Sequence, residues 1–509
     1  MPMNNNKEIL LDPTCESELD ENFQKNANKY NRISLQLKSL RFLEKGTIIL
    51  IAVPYTFCFG SMLILFPYLF IFYISEADAS NLFALLLILI YNVSYLFASI
   101  ISPAPCFRER YGWSFALNGF CVLLFLVTIL MNLLYFYNMK LTEGDFGNIL
   151  WVFLPIIGTF LAGFASYNLN HLHFLYLINC LNSYNIELVL TLFYKIFSFG
   201  MLIGAVSSLF FHLNFLIILC AFQVIGMVLF LLLKNPDLVF KEYLLNLYND
   251  YKLKELVSKS PACEEQPLSL EMIPEVHGNY LEPTLTKFIN EEEEDPKVST
   301  LSPHFNSQTQ KTIIKMPSFK DIPSHIFKKD MRALTALSCL EALISSYLVL
   351  IIPSTILKSG KELNLTIEEI FYRFSFCYIV IGLSQSSTLF IKKFNYNEDP
   401  RYSCHEILKA FSFLIVVYAI AYFFNFYPLI LLASCFLGYC YFLTILVIEN
   451  QIFLHFEQMT LNISSVNIAN CLIKALIFVI GLILIDTNPI NSLIIYIILV
   501  FFIWCLNKK

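Results

Sequence analysis

The stretch TIILIAVPYTFCFGSMLILFPYLFIFY, residues 47–73, decides the fold class of this chain, because it contains no charged residue over its whole length. The hydrocarbon core of a bilayer is about 30 Å thick, and an α-helix needs about 20 apolar residues to cross it. In hydrocarbon the backbone must satisfy its own hydrogen bonds, which a helix does within one segment. Residues 47–73 therefore predict a transmembrane helix.

Eleven further segments resemble this one, so the sequence predicts an all-α membrane protein with twelve transmembrane helices in two six-helix halves. In the first half the spans lie near 47–73, 81–102, 113–137, 149–171, 187–210 and 213–233. In the second half they lie near 333–357, 370–391, 407–424, 429–448, 466–485 and 490–506. Spans nine and ten, and spans eleven and twelve, are separated only by short breaks before Pro428 and Pro489. A merged pair, which would give eleven spans, is the alternative.

The composition agrees with a membrane protein and argues against several other classes. Of the 509 residues, 57% are hydrophobic and 14% are charged, whereas a soluble protein of this length needs more polar surface to cover its core. The net charge of -5 is spread over loops and tails, so nucleic-acid binding is not expected. Most of the 14 Cys residues stand singly in apolar runs, and no spacing indicates a metal site or a cofactor.

The distribution of Lys and Arg predicts that both termini lie in the cytoplasm. With this orientation, eighteen Lys and Arg residues fall at the cytoplasmic ends of the spans, whereas the outside loops carry only Lys140, Lys358 and Lys361. Such an excess is the usual signature of the cytoplasmic side. The glycosylation tripeptide beginning at Asn364 falls outside, and the one beginning at Asn462 falls inside and should be unused.

The spans and charges together predict the domain organisation. Residues 1–46 form a cytoplasmic tail, 47–233 the first six-helix bundle, 234–332 a cytoplasmic linker, 333–506 the second bundle and 507–509 the cytoplasmic C terminus. No cleavable signal peptide is expected in the polar tail. The linker combines an acidic run with several prolines and many Ser and Thr, which predicts a largely disordered segment. A folded regulatory domain is the alternative.

Two halves of six spans with a long central loop resemble the major facilitator superfamily. In that family the loop between spans two and three carries the pattern Gly-x-x-x-Asp-Arg-x-Gly-Arg. The corresponding loop here reads PCFRERYGW, residues 105–113. Glu109, Arg110 and Gly112 match the pattern in spacing, with Glu for Asp, whereas the first and last residues of the loop depart from it.

The resemblance implies a transporter that works by alternating access, in which Glu109, Arg110 and Gly112 gate the cytoplasmic face through charge pairing between helix ends. The alternative is that the arginines of this loop only set the topology. An internal repeat agrees with the resemblance, because NLNHLHF (168–174) and NQIFLHF (450–456) end the fourth span of each half and share four of seven residues. Parallel repeated halves are typical of these transporters.

Charged residues inside the spans are the first candidates for a transport site, because burying each one costs about 2.5–3.5 kcal/mol on insertion scales. Lys195 and Lys474 lie about eight residues, or about 12 Å, from the cytoplasmic ends of spans five and eleven. Two lysines facing one cavity would favour an anionic or zwitterionic solute, unless each reaches the interface or pairs with a carboxylate. Glu341 in span seven is a candidate for proton coupling, or it neutralises one of the lysines.

Neutral polar residues in the spans complete the candidate solute site. They are Asn92, Asn118, Asn168, Asn170, Gln223, Gln385 and Asn450. Three histidines, His171, His173 and His455, lie near the cytoplasmic ends of spans four and ten. They show no metal-ligand spacing, so hydrogen bonding between helices is the expected role.

The sequence therefore predicts a secondary active transporter or facilitator that moves a small polar solute, such as an organic anion or an amino acid. We expect no enzymatic activity, because no Walker A, GxSxG or HExxH pattern occurs. The expected partners are the solute, protons and the lipid bilayer of the plasma membrane or an organelle, and the expected state is a monomer. An equilibrative nucleoside-type carrier and a non-transporting scaffold or receptor with the same fold are the alternatives.

Overall fold

The computed structural model of the chain describes residues 46–75, 81–101, 111–142, 149–180, 186–210, 213–233, 325–326, 328, 331–391, 399–424, 426–454, 459–484 and 489–508. Each of the twelve predicted spans coincides with a helix. In the first half these are α1 (46–75), α2 (Asn81–Ile101), α3 (Tyr111–Thr142), α4 (Ile149–Cys180), α5 (186–207) and α6 (Leu213–Leu231). In the second half they are α7 (Arg332–Glu362), α8 (Ile367–Ile391), α9 (Pro400–Phe423), α10 (Tyr427–Leu454), α11 (Met459–Leu484) and α12 (Pro489–Lys508).

Nine helices within the described residues are long and apolar enough to cross a membrane by their own hydropathy. The other three are α4, α8 and α12. Of these, α4 and α8 contain runs of polar residues, such as 168–173 and 384–388, that lower the average hydropathy. Many of these polar side chains are buried inside the bundle. The average over a whole helix therefore underestimates how apolar its lipid-facing surface is.

Several helices are longer than the predicted spans. Helix α4 continues to Cys180, α10 continues to Leu454, and α9 and α11 begin at Pro400 and Met459. The prediction placed each boundary where charged or polar residues begin, whereas hydrogen bonding within a helix continues past that point. The helices of each close pair are separate, which rules out the eleven-span alternative. The predicted tail and most of the predicted linker lie outside the described residues.

The surface of α3 shows how the bundle is fitted to lipid. One face, at helical spacing, is exposed and apolar, and consists of Trp113, Leu117, Phe120, Leu124, Val127 and Met131. The opposite face is buried in the bundle, as Phe115, Phe125 and Ile129 show. Exposed apolar residues in a continuous stripe are unusual for a soluble protein, because they would contact water. In a bilayer the same stripe contacts acyl chains at no such cost.

The two halves have the same orientation, and their most extensive contacts are those of α2 with α11 and of α5 with α8. Tyr95 near the end of α2 donates a hydrogen bond of 3.5 Å to Asn467 near the start of α11. Ser208, which follows α5, donates a hydrogen bond of 2.8 Å to Ser375 near the start of α8. We define the N-side of the bundle as the side on which α1 begins. Within each half, successive helices are joined by short connections and alternate in direction. The contact of the end of α2 with the start of α11, and that of the end of α5 with the start of α8, are therefore possible only if α7 also begins on the N-side.

Helices α1 and α5 approach each other closely at Gly60 and Gly200. A Cβ atom added to Gly200 would lie 2.5 Å from the Cα atom of Gly60, and one added to Gly60 would lie 2.8 Å from the Cα atom of Gly200. Real Cβ atoms do not approach a backbone so closely. Small residues at such crossings allow helix backbones to pack directly in a membrane, where van der Waals contact is a main driving force.

His325 lies near the end of the range predicted as a linker, yet it is buried. Its Nε2 atom is 2.8 Å from the side-chain oxygen of Asn462 in α11. The hydroxyl of Thr335 in α7 donates a hydrogen bond of 3.2 Å to the carbonyl of Ile326. The end of the linker therefore packs against the starts of α7 and α11, and Asn462 is buried.

Substitution of Gly200 by valine should destabilise the protein by about 2 kcal/mol, because the new side chain overlaps the backbone of α1 and the helices must separate. The thermal unfolding midpoint of the purified protein in detergent measures this effect. Gly46→Ala is the matched control, since a Cβ atom there meets nothing within 4 Å. An equal loss of stability in both variants would contradict the close-packing interpretation.

Candidate functional site

A cavity of about 240 Å³ lies between the two halves and is the candidate solute site. Helices α1 to α5 line it from the first half, and α7, α10 and α11 line it from the second. This volume is smaller than the roughly 300–1,000 Å³ of typical drug-sized sites, so it suits a small solute. Eleven aromatic side chains line the cavity, so its polar groups lie among aromatic rings.

Direct contacts between the halves close the bundle on the side opposite the N-side. The ring of Tyr68 in α1 lies 5.3 Å from that of Phe371 and 6.2 Å from that of Phe374, both in α8. All three residues are buried. The hydrogen bond between Ser208 and Ser375 lies at the same level of the bundle. Passage of a solute toward that side would require these aromatic rings to separate.

Glu341 and Lys474 form a charge pair in the cavity wall. The Nζ atom of Lys474 is 3.3 Å from an Oε1 atom of Glu341, and both side chains are mostly buried. Their helices, α7 and α11, are joined beside the pair, where the hydroxyl of Ser338 donates a 2.6 Å hydrogen bond to the carbonyl of Val466. Because each charge is compensated by the other, the pair adds no net charge to the cavity.

A second titratable pair, His173 and Glu449, connects the halves. The Nε2 atom of His173 in α4 is 3.6 Å from an Oε2 atom of Glu449 in α10, which is too long for a hydrogen bond. The imidazole is 1% exposed and stacks on Phe193 at an interplanar angle of 9°, with Tyr55 4.7 Å away on another side. Within the part of the chain that the structure describes, neither ring nitrogen of His173 nor the Oε2 atom of Glu449 has a hydrogen-bond partner.

A chain of hydrogen bonds crosses the cavity wall from the first half to the second. The amide of Asn170 in α4 donates a 3.0 Å hydrogen bond to the hydroxyl of Tyr95 in α2. Tyr95 in turn donates to Asn467 in α11, and all three residues line the cavity. Hydrogen bonds between helices are common where polar side chains are shielded from lipid.

Four of the residues predicted for the solute site line this cavity. They are Asn92, Asn170, Glu341 and Lys474. The amide of Asn92 also donates a 2.7 Å hydrogen bond to the carbonyl of Ile88 within its own helix. Lys195 is half-buried on α5 but is not part of the cavity lining. The structure therefore brings one of the two predicted lysines to the cavity, and that lysine faces a carboxylate.

The remaining predicted residues lie in helix contacts outside the cavity lining. Asn168 donates a 3.2 Å hydrogen bond to Asn118, which joins α4 to α3. The amide of Gln223 in α6 donates to the carbonyl of Gly119 at 2.9 Å, and that of Gln385 in α8 lies 3.1 Å from the sulfur of Met201 in α5.

Asn450 and Gly112 are also placed in packed regions. Asn450 is buried in α10, one residue beyond Glu449, and outside the cavity lining. At the start of α3, a Cβ atom added to Gly112 would lie 2.6 Å from the carbonyl oxygen of Phe230 and 3.1 Å from that of Leu233. Glu109 and Arg110 lie outside the described residues, so their gating role stays a prediction.

Glu449 was missed as a candidate from the sequence, and His173 was predicted only as a partner in hydrogen bonds between helices. The predicted spans four and ten ended at residues 171 and 448, which left both side chains in the adjoining loops. A charge at the end of an apolar run usually marks the end of a span, but α4 and α10 continue for about two turns beyond it. The signal that could have found the site is the absence of Lys or Arg in the loops that follow.

No family model matches the sequence, and no curated protein is similar to it by sequence. Solved structures are similar in fold. A bacterial homologue of the iron transporter ferroportin in an outward-facing state matches with a TM-score of 0.53 and 12% identity, over 92% of this chain and 98% of that chain. The same protein with soaked iron matches with a TM-score of 0.53 and 11% identity, over 91% and 98% of the chains.

A third solved structure identifies the type of fold. The major facilitator superfamily proton:xylose symporter XylE, bound to 6-bromo-6-deoxy-D-glucose, matches with a TM-score of 0.52 and 12% identity, over 92% of this chain and 96% of that chain. The chain has the major facilitator fold. The prediction of an all-α, multi-pass membrane protein with twelve helices in two halves is confirmed.

In transporters of the major facilitator fold, solute sites lie near the middle of the membrane between the two repeated halves. The cavity of this chain occupies that interface, with Glu341 and Lys474 on one wall and His173 and Glu449 bridging the halves. The similarity at 11–12% identity concerns the fold, and it does not carry over the iron or the xylose of those proteins.

Substitution of Glu341 alone by glutamine should cost on the order of 2 kcal/mol of stability. This is less than the 3–5 kcal/mol of a fully buried pair, because the pair borders a cavity. The double variant Glu341→Gln, Lys474→Gln should lie closer to the wild type, since no unpaired charge is left. Thermal unfolding of the single and double variants tests this expectation. Glu362→Gln, which breaks an exposed pair with Lys358, is the control and should change little.

Proposed function

We propose that the protein is a secondary active transporter or facilitator that moves a small polar solute across a membrane by alternating access. The observation that carries this proposal is the cavity between the halves, which is lined by charged side chains in a bundle with an apolar exterior. Charged groups inside a membrane bundle are energetically costly, and those that are present usually mark a pathway for a solute or an ion. The major facilitator fold of the solved transporters supports the same function.

The N-side is proposed to face the cytoplasm, because the Lys and Arg residues of the sequence favour that side. In this orientation the aromatic closure by Tyr68, Phe371 and Phe374 lies toward the opposite compartment. The cavity would then exchange its solute with the cytoplasm. Glu109 and Arg110, in the loop between α2 and α3, are proposed to control that access together with the packing at Gly112.

Glu341 is proposed to couple transport to protons. While Glu341 is ionised, it neutralises Lys474 at 3.3 Å. When Glu341 takes up a proton, Lys474 is released and can bind an anionic group of the solute, such as the carboxylate of an amino acid. Release of the proton restores the pair and displaces the solute. Proton and solute binding would thereby favour the same state of the cavity.

Purified protein in proteoliposomes should take up solute, and an imposed pH gradient should change the rate of uptake. Radiolabelled amino acids, organic anions, amines and nucleosides form the screening panel. In Glu341→Gln, uptake should persist but lose its dependence on the pH gradient, because the titrating carboxyl group is gone. Glu406→Gln is the control, since Glu406 pairs with Lys409 on the exposed surface of α9.

An unchanged pH dependence in Glu341→Gln would contradict the coupling role of Glu341. If no panel solute were taken up, and if substitutions of Glu341 and Lys474 altered only stability, the protein would be a scaffold or receptor with this fold. Uptake of nucleosides alone would favour the carrier alternative.

A further inference from the structure

We propose that Glu449 binds a positively charged nitrogen of the solute, so that the transported substrate carries an ammonium group or another cationic group. This inference rests on the proposed transport function and adds the substrate class to it. It follows from the balance of charges around the cavity, from the unpaired atoms of His173 and Glu449, and from the aromatic wall.

The cavity lining carries three charged side chains, Glu341, Glu449 and Lys474, and it also contains His173. Glu341 and Lys474 neutralise each other at 3.3 Å. Within the described lining this leaves one carboxylate in excess when His173 is neutral. An unpaired carboxylate in an apolar bundle is costly, and the cost is removed when a cation binds.

Among the described residues, the Oε2 atom of Glu449 has no hydrogen-bond partner, and the Nε2 atom of His173 lies 3.6 Å away. A contact that served only to hold the halves together would be expected at hydrogen-bond length with the donor aligned. The Glu449 side chain lines the cavity and is 13% exposed, although Oε2 itself is buried, so a small rotation of the carboxylate would present it to a ligand.

Aromatic side chains surround the carboxylate, and Tyr55, Phe193 and Phe197 line the cavity beside His173. The centroid of the Tyr55 ring lies 5.5 Å from that of Phe193 and 5.4 Å from that of Phe197. Aromatic faces attract cations through the ring quadrupole, and they attract them more strongly where water is excluded. A carboxylate set among aromatic rings is suited to an ammonium group, whereas an anionic group would be repelled by Glu449.

The test is direct binding to purified full-length protein in detergent, measured by thermal stabilisation and by calorimetry. The probes are butylamine, tetramethylammonium and choline, with butyrate as the anionic counterpart of butylamine. We expect at least one amine to bind and butyrate to bind more weakly. In Glu449→Gln the affinity for the amine should fall at least about tenfold, which corresponds to 1.4 kcal/mol.

Matched variants separate binding from folding. Glu449→Asp keeps the charge and should retain part of the affinity, and Glu406→Gln should bind as the wild type does. Tyr55→Phe keeps the aromatic face and should bind more tightly than Tyr55→Leu.

The outcomes distinguish the two proposals. Failure of all three amines to bind, or equal binding in Glu449→Gln, would overturn the cation site, even if proteoliposomes took up a neutral or anionic solute. Binding of an amine that depends on Glu449, with no uptake into proteoliposomes, would retain the cation site and reject the transport function.

Discussion

Charged side chains within this bundle need partners inside the protein, because the acyl chains around the bundle offer neither charge nor hydrogen bonds. That constraint orders the interior. The charges of Glu341 and Lys474 are brought together between α7 and α11, and the side chains of His173 and Glu449 meet between α4 and α10. The outside of the bundle is apolar instead, as the continuous exposed stripe of α3 shows.

The two pairs differ in what they connect. Glu341 and Lys474 both belong to the second half, so their contact survives any rigid movement of one half against the other. His173 and Glu449 belong to different halves, so their separation changes whenever the halves rock. In the proposed transport function, the first pair would respond to protonation of the cavity and the second to the relative position of the halves, so both responses would be combined at one site.

Hydropathy and charge predicted the class of protein, the number of helices and the approximate position of each span, because the apolar run and its flanking charges are local properties of each segment. The pairing of residues from distant helices was not accessible in the same way. Lys195 and Lys474 occupy equivalent depths in spans five and eleven, yet only Lys474 reaches the cavity, since the rotation of each helix about its axis is set by packing. Glu449 was overlooked because a charge beside an apolar run resembles the end of a span.

The contact surfaces between the halves have a consequence for the covalent chain. The helices themselves supply contacts between the halves, namely Tyr95 with Asn467, Ser208 with Ser375, and the ring of Tyr68 with that of Phe371. His325, shortly before α7, contacts Asn462 of the second half. Such contacts can hold the halves together without a covalent link. Two polypeptides synthesised separately, and divided within residues 234–324, should find each other in the bilayer and assemble as a non-covalent heterodimer.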